Sequence, residues 1–409
     1  MKLTIEGSTL ASRLKPLATP IRQHEGNNYD SIDMAITEED GKKYLLCRIE
    51  QPAYEAYLHQ NLSGKGTDAD SDDLTTAVAI DPDAELSDNA THIHMKASDL
   101  ANLNRNVGAA KAVYDFSSCF GLETRIEERT FLHKNCTLRQ GKVPMPTHCD
   151  SGTQQDVATH DGAFLPMGML DAIALSKALG NAIRMCRLTG CKGELRAQAV
   201  HLDIAADEVR VEAISHNGAV STPITNFMGP DIDRLPEEGV HLALNLAAAQ
   251  ALKQMCDISG TEMRWTFDAE SKVLTLSCNE YRLRVFTEEV SECKIPEGAE
   301  VPDVSLLVTG SDMQRALSKV KVSGNDVVLL SYLEGRLRIE TDDKCVNAFV
   351  STSICGNGHD FSDVSLPSHT LLAALQAFDA DNVYLDYDSA DQLIVVHDGS
   401  MARAVVFEV

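Results

Sequence analysis

The sequence predicts an α+β fold assembled from one small unit used repeatedly. Three observations carry that expectation. Residues 163–220 show a strand, a helix and a two-strand meander in that order. The same strand-then-helix start returns five more times. Two stretches rich in Pro, Gly and acidic residues cut the chain into pieces of two units each. A helix laid on a meander covers one sheet face, which is the α+β way of burying both.

In the clearest copy, Ala163-Phe164-Leu165-Pro166-Met167 reads as a short apolar strand, and 170–179 as an apolar helix. After a polar break come period-two strands at 194–204 and 208–214, with Ala205-Ala206-Asp207 as the turn. The other copies pair a strand at 2–5 with a helix at 10–17, then 92–95 with 100–107, and 240–244 with 246–255. The last two pair 305–308 with 313–320, and 363–366 with 371–378. Meander strands follow at 263–267 and 273–277, at 327–332 and 336–340, and at 383–387 and 393–397. Grouped in pairs, the copies give three similar domains at 1–150, 162–295 and 303–409. The stretches 142–161 and 295–302 serve as linkers. Residues 62–90 hold eight acidic residues against Lys65 alone, the composition of an exposed insertion in the first domain.

The chain is 409 residues long and 44% hydrophobic, enough for several packed cores and too apolar for wholesale disorder. No run of 18 apolar residues would span a membrane, and the N-terminal stretch lacks the apolar core of a signal peptide. A cytoplasmic protein is expected. Its 11 unevenly spaced cysteines are then mostly small buried hydrophobes.

A net charge of −25 argues against a protein that grips nucleic acid over its whole surface. It leaves room for one that gathers a few cations on one face. The helices carry that bias. Arg13 and Lys15 fall in the first, with Arg22 just beyond, and Arg105 in the second. Lys177 falls in the third, with Arg184 close behind it. Lys253 falls in the fourth, and Arg315 and Lys319 in the fifth, which Lys321 follows. If all six helices lined one concave face, that face would be the least acidic part of the molecule.

On these residues the sequence resembles the bacterial DNA polymerase III beta-type sliding clamp. Phe164-Leu165-Pro166 with the helix after it looks like the start of that family's middle domain. The strand from Glu208 through Ile214-Ser215-His216-Asn217-Gly218 sits where the family has a strand ending in a Thr-Asp-Gly-His-Arg-type loop. The hairpin around Leu333-Glu334-Gly335-Arg336 is similar to its third-domain hairpin, and 393–409 to its closing strands. The resemblance implies a DNA-clamp fold whose helices line the concave face. It also implies a head-to-tail homodimeric ring around double-stranded DNA, bound without regard to sequence. A replicative DNA polymerase and other partners would be tethered to that ring, and a clamp loader would open it. Carried over by position, the partner-peptide groove is Ala197, Ile214, His216, Ala219, Leu244, Ala249, Val406 and Phe407. The dimer contacts are Lys321 and Val322. The departures are Ser215-His216-Asn217 in the loop, a tail ending Val406-Phe407-Glu408-Val409, and no Phe-Pro-Asp-Tyr stretch in 287–295. The alternative is a clamp-derived scaffold or decoy that holds replication or repair proteins without encircling DNA. The net charge and Lys321 at the interface favour it.

No catalytic motif accompanies these features. There is no Gly-rich phosphate loop, dinucleotide fingerprint or nucleophile elbow, and no acidic pair spaced for acid–base work. His133-x-x-Cys136 with His148-Cys149 has poor spacing for zinc, and His92 with His94 shares one strand face as a packed or surface pair. The expectation is a non-enzyme without metal or cofactor.

Overall fold

The computed structural model describes residues 2–6, 30–39, 42–51, 54–61, 90–95, 111–115, 122–126, 129–133, 137–141, 164–187, 199–205, 208–225, 227–228, 239–259, 262–268, 271–278, 281–287, 295–296, 298, 301–321 and 326–409. The expected helices at 10–17 and 100–107, the acidic stretch 62–89 and the linker 142–161 lie outside these residues. So do Cys136, His148 and Cys149. The chain divides into two compact units, Met1–Ala172 with Gln250–Phe286, and Ile173–Ala249 with Thr287–Val409.

The first unit holds β1 (Lys2–Glu6), β2 (Asp30–Glu39), β3 (Lys42–Gln51), β4 (Tyr54–Asn61) and β5 (Ala90–Met95). It continues with β6 (Lys111–Asp115), β7 (Leu122–Ile126), β8 (Arg129–His133), β9 (Thr137–Gly141) and β10 (Phe164–Asp171). After the strands of the other unit come β16 (Glu262–Asp268), β17 (Val273–Cys278) and β18 (Tyr281–Phe286). One antiparallel sheet runs β1-β6-β7-β8 and another runs β10-β16-β17-β18-β4-β3-β2-β5-β9. The seam between distant parts of the chain is β18 on β4, with Leu283 opposite Ala56. Cys47, Ile49 and Tyr54 are fully buried on β3 and β4.

The second unit contains a 12-stranded sheet in the order β15-β11-β12-β13-β26-β25-β24-β19-β22-β21-β20-β23. Its earlier strands are β11 (Ala199–Ile204), β12 (Val209–Ile214), β13 (Gly218–Ile224) and β15 (Val240–Asn245); the short β14 (Phe227–Met228) is not part of this sheet. Next come β19 (Val304–Thr309), β20 (Val327–Leu333), β21 (Arg336–Thr341) and β22 (Asn347–Gly358). The last are β23 (Phe361–Pro367), β24 (Asn382–Asp388), β25 (Leu393–His397) and β26 (Arg403–Phe407). Here the seam is β13 on β26, with Ala219 opposite Val405. Four helices occur among the described residues: α1 (Ala172–Arg187), α2 (Leu246–Ser259), α3 (Gly310–Lys321) and α4 (Ser368–Leu375).

Strand alternation divides the second sheet into two unlike faces. One face presents Val200, Leu202, Val209, Val211, Ala213, Val220, Val396, Ala404 and Val406, all at most 2% exposed. Helix α4 lies against it. A Cβ added to Gly218 would stand 2.6 Å from the Thr370 methyl of α4 and 2.5 Å from the Val405 carbonyl oxygen. Helix α1 buries Leu175, Leu179, Ala182 and Cys186 at i, i+4, i+7 and i+11. Each large apolar side chain removed from water in this way contributes about 1.5–3 kcal/mol. The other face carries the charged residues described below.

The helices depart from expectation at their ends. Leu170 and Asp171 pair with Met263 and Glu262 in the ladder, so α1 starts at Ala172 rather than 170. It then runs to Arg187 through the expected polar break. Asn181, only 8% exposed, donates from Nδ2 to the Ala377 carbonyl at 3.0 Å, so a residue that reads as a breaker is a buried tie instead. Helix α2 is capped by Asn245, whose Oδ1 accepts the Ala248 N–H at 2.9 Å. Helix α3 begins three residues early at Gly310, whose N–H reaches the Asp381 carbonyl at 2.8 Å. Helix α4 begins at Ser368, directly after Pro367 in extended geometry, and ends at Leu375 rather than 378.

The cysteines split. Cys47, Cys186 and Cys256 are buried as expected, but Cys345 and Cys355 are exposed. The Cys186 thiol bonds the Ala199 carbonyl at 3.4 Å, and burial pushes its pKa up to about 12, so it is inert.

Candidate functional site

Two surfaces of the described residues bear on function: the exposed stripes of the helices, and the charged face of the second unit's sheet. On α1 the exposed positions 173, 177, 184 and 187 form one stripe, so Lys177, Arg184 and Arg187 share a side with no acidic residue among them. Lys177 Nζ lies 2.7 Å from Asp379 Oδ2, and Arg184 Nη1 donates to the Gln376 carbonyl at 3.2 Å. Both side chains thus reach the carbonyl end of α4, where positive charge is favoured. Lys253 pairs with Asp257 at 2.8 Å and Arg315 with Asp312 at 3.1 Å. Lys319 is exposed and has no ion pair among the described residues. Solvent-exposed pairs of this kind contribute about 0.2–1 kcal/mol and are screened by salt, so the cations stay available to a polyanion.

Arg13, Lys15, Arg22, Arg105, Ala197 and Val322 lie outside the described residues. Lys321 is the last residue of α3.

The groove residues divide by strand parity. Ile214, Ala219 and Phe407 meet in one cluster with Ile295, Leu393, Val395 and Val405. Val406, next to Phe407 in sequence, faces the helix side and is fully buried there, as is Leu244. Ala249 is fully buried in α2, and His216 is exposed in the loop after β12. That loop is tight. Ser215 Oγ donates to the Gly218 carbonyl at 2.8 Å, and the Phe407 N–H donates to the Asn217 carbonyl at 3.0 Å. The loop therefore sets where Phe407 stands.

The stretch read as a linker crosses this same face. Ile295 is 8% exposed within the cluster. Gly298 has φ +76, and a Cβ there would come 2.8 Å from a Val395 methyl, so both the backbone angle and the space call for glycine.

Beyond the cluster the same face turns polar, because residues opposite each other in a ladder share a side. His201, Glu212, Ser221, Arg403 and His397 stand in one row across β11, β12, β13, β26 and β25. Asp203, Arg210 and His241 form the adjoining row. His241 Nδ1 meets Asp203 Oδ1 at 2.5 Å, and its Nε2 lies 3.2 Å from Nδ1 of the fully buried His201. Glu212, 4% exposed, accepts the Ser221 hydroxyl at 2.7 Å. Burial raises its carboxyl above the ordinary glutamate range, against the pull of the Ser221 hydrogen bond. A cavity of about 400 Å³ opens here, walled by Arg210, Ser221, Arg403, His397, Asp386 and Asp388, with Val395 shared with the apolar cluster. Reading for apolar periodicity missed these residues. The signal is present as Arg210-x-Glu212 and His201-x-Asp203, charged residues at period two within otherwise apolar strands.

No protein-family model and no curated protein sequence matches the chain. Solved structures do. The DNA polymerase III beta subunit of Thermotoga maritima superposes with TM-score 0.70 at 12% identity, covering 100% of this chain and 99% of that one. The sliding clamp of Bartonella birtlesii, solved with griselimycin, gives 0.70 at 14% identity over 100% and 99%. The beta clamp of Helicobacter pylori, solved with a DNA ligase peptide, gives 0.66 at 10% over the full length of both chains. Covered over its full length by these structures, the chain has the fold of the bacterial DNA polymerase III beta sliding clamps.

Proposed function

We propose that this chain is a DNA sliding clamp. It consists of three domains, 1–150, 162–295 and 303–409, and closes head to tail with a second copy into a ring around duplex DNA, with the helices turned inward. It carries out no chemistry. It tethers a replicative polymerase and other partners, a clamp loader opens it, and it works in the cytoplasm. The observation that carries this reading is the end-to-end likeness to clamps, with TM-scores near 0.70 and both chains covered almost completely. The cation stripe on α1 and the exposed Lys319 support it, because a few phosphate contacts hold DNA weakly and without regard to sequence, as sliding requires. The partner site is the apolar patch of Ile214, Ala219 and Phe407. The H. pylori clamp solved with a ligase peptide is a precedent for such an occupant.

The test is retention on DNA. The clamp, loaded by a clamp loader, stays on nicked circular DNA and runs off linear DNA. Equal loss from both defeats the proposal. A second reading, a scaffold that never encircles DNA, draws support from the −25 charge and from Asp379, Asp257 and Asp312 beside three helix cations. A monomer at micromolar concentration without salt-dependent DNA retention would favour it.

A further inference from the structure

The turn between β25 and β26, Asp398-Gly399-Ser400-Met401-Ala402, is tied down by a hydrogen bond that one proton would undo. The Gly399 N–H donates to Nδ1 of His397 at 3.1 Å. A backbone N–H can only donate, so Nδ1 presents a bare lone pair. The ring proton is then on Nε2, which donates to Asp386 Oδ2 at 2.9 Å, while Asp386 Oδ1 accepts the Ser305 hydroxyl at 2.6 Å. Both ring nitrogens are engaged, and together their partners select one neutral tautomer.

The surroundings of the ring divide over an added charge. From β24, the Asp386 carboxylate would hold an imidazolium by a stronger, charge-assisted bond. Tyr384 of the same strand stacks on the ring, with centroids 4.9 Å apart and planes 10° apart, and its π face favours a cation. Asp398 in the turn adds a second carboxylate, faced in turn by Lys177 of α1. Arg403, opposite His397 in the β25–β26 ladder, opposes the charge, as does the Gly399 N–H. Asp388 and Arg210 line the same cavity as His397. Arg403 is held in the ladder, whereas Gly399 sits in a turn at φ +85 and is the contact that can give way. What else holds the turn is local: the Ser400 N–H on Asp398 Oδ1 at 3.0 Å and the Ala402 N–H on Ser400 Oγ at 3.2 Å.

We propose that His397 is a pH-operated catch on the β25–β26 turn: neutral, it accepts the Gly399 N–H and holds the turn shut; protonated at Nδ1, it stays fixed to Asp386 and lets the turn go. Histidine is the side chain whose charge ordinarily changes between about pH 5 and 8, so the catch works in that interval. The turn carries Met401, 64% exposed, and leads directly into Arg403, which faces Ser221 across the seam between β26 and β13. Acidification therefore loosens the turn and the near end of that seam, while the apolar pairs further along, such as Ala219 with Val405, keep the sheet closed.

The test is amide hydrogen exchange of the full chain across pH 5–8, read at Gly399 and corrected for the intrinsic pH dependence of exchange. The result expected is about tenfold less protection of Gly399 at the acid end, with the Ala219–Val405 ladder unchanged. His397→Asn puts an amide oxygen near the place of Nδ1 and cannot take up a proton, so in that variant the protection of Gly399 should be the same at both ends. Protection of Gly399 that is flat with pH in the native protein would overturn the catch. An unaltered pH response in His397→Asn would overturn it as well, because another group would then drive the turn. A third reading needs no variant: ring-nitrogen NMR of native His397 should show the proton on Nε2 at pH 8 and a titration sharing its midpoint with Gly399 exchange. The opposite tautomer or separate midpoints would contradict the proposal.

Discussion

Gly218 shows how one residue ties the sheet seam to a helix. Its missing side chain lets the Val405 carbonyl and the Thr370 methyl close on β13 from two directions. Gly218→Ala should cost about 1–3 kcal/mol, since the backbone oxygen cannot move aside as a side-chain tip could. Chemical denaturation measures it, and a change below about 0.5 kcal/mol would contradict the packing described. Glu212 makes a pH prediction. Its folded-state pKa is raised by burial, so the stability linked to its proton is complete below the ordinary glutamate range and is lost as pH rises through the raised value. Glu212→Gln keeps an acceptor for Ser221 and should raise the melting temperature at neutral pH. The gain should shrink at pH below the ordinary glutamate range; an equal shift at every pH would assign it to packing. At this scale the sequence is legible only in part. Val406 and Phe407 are neighbours in a list of groove residues, but pleating sends them to opposite faces, and only the ladder register reveals which is which.

Elements were more legible than residues. The strands at 240–245, 262–268, 273–278, 304–309, 327–333, 336–341, 382–388 and 393–397 fall within a residue or so of their expected positions, because alternation over five to seven residues is a strong signal. Helix ends were less so. Asn181 and Gly180 read as a break, but the packed end of α4 supplies a partner for the Asn181 amide and α1 continues. Asn181→Ala should cost about 1–3 kcal/mol by leaving the Ala377 carbonyl without that donor, read as a lowered unfolding midpoint. The stretch 295–302 shows a different limit of composition. Pro and Gly there mark a turn, yet Ile295 and Gly298 are packed on the sheet. Helix α1 also carries the DNA prediction. Charge reversal at Arg184 and Arg187 should lower the slope of log affinity against log salt by about 1 for each phosphate contact removed. An unchanged slope would take α1 out of the DNA-facing surface.

At the scale of the molecule, the order of elements was readable where residue identity was not. The clamp structures share only 10–14% of residues with this chain, and each copy of the unit keeps its periodicity while replacing its side chains. The loop Ser215-His216-Asn217 and the tail Val406-Phe407-Glu408-Val409 differ from the family pattern, yet they hold each other through the Phe407 N–H and the Asn217 carbonyl. The charge balance reads in two parts, −25 over the chain and an exposed stripe on α1 whose charged residues are all basic. Whether that stripe faces a duplex is decided by topology on DNA. The direct measurement is the lifetime of the loaded protein on a nicked circle and on the same DNA cut once. A closed ring predicts long retention on the circle, with rapid loss on cutting; the same short lifetime on both forms would contradict it.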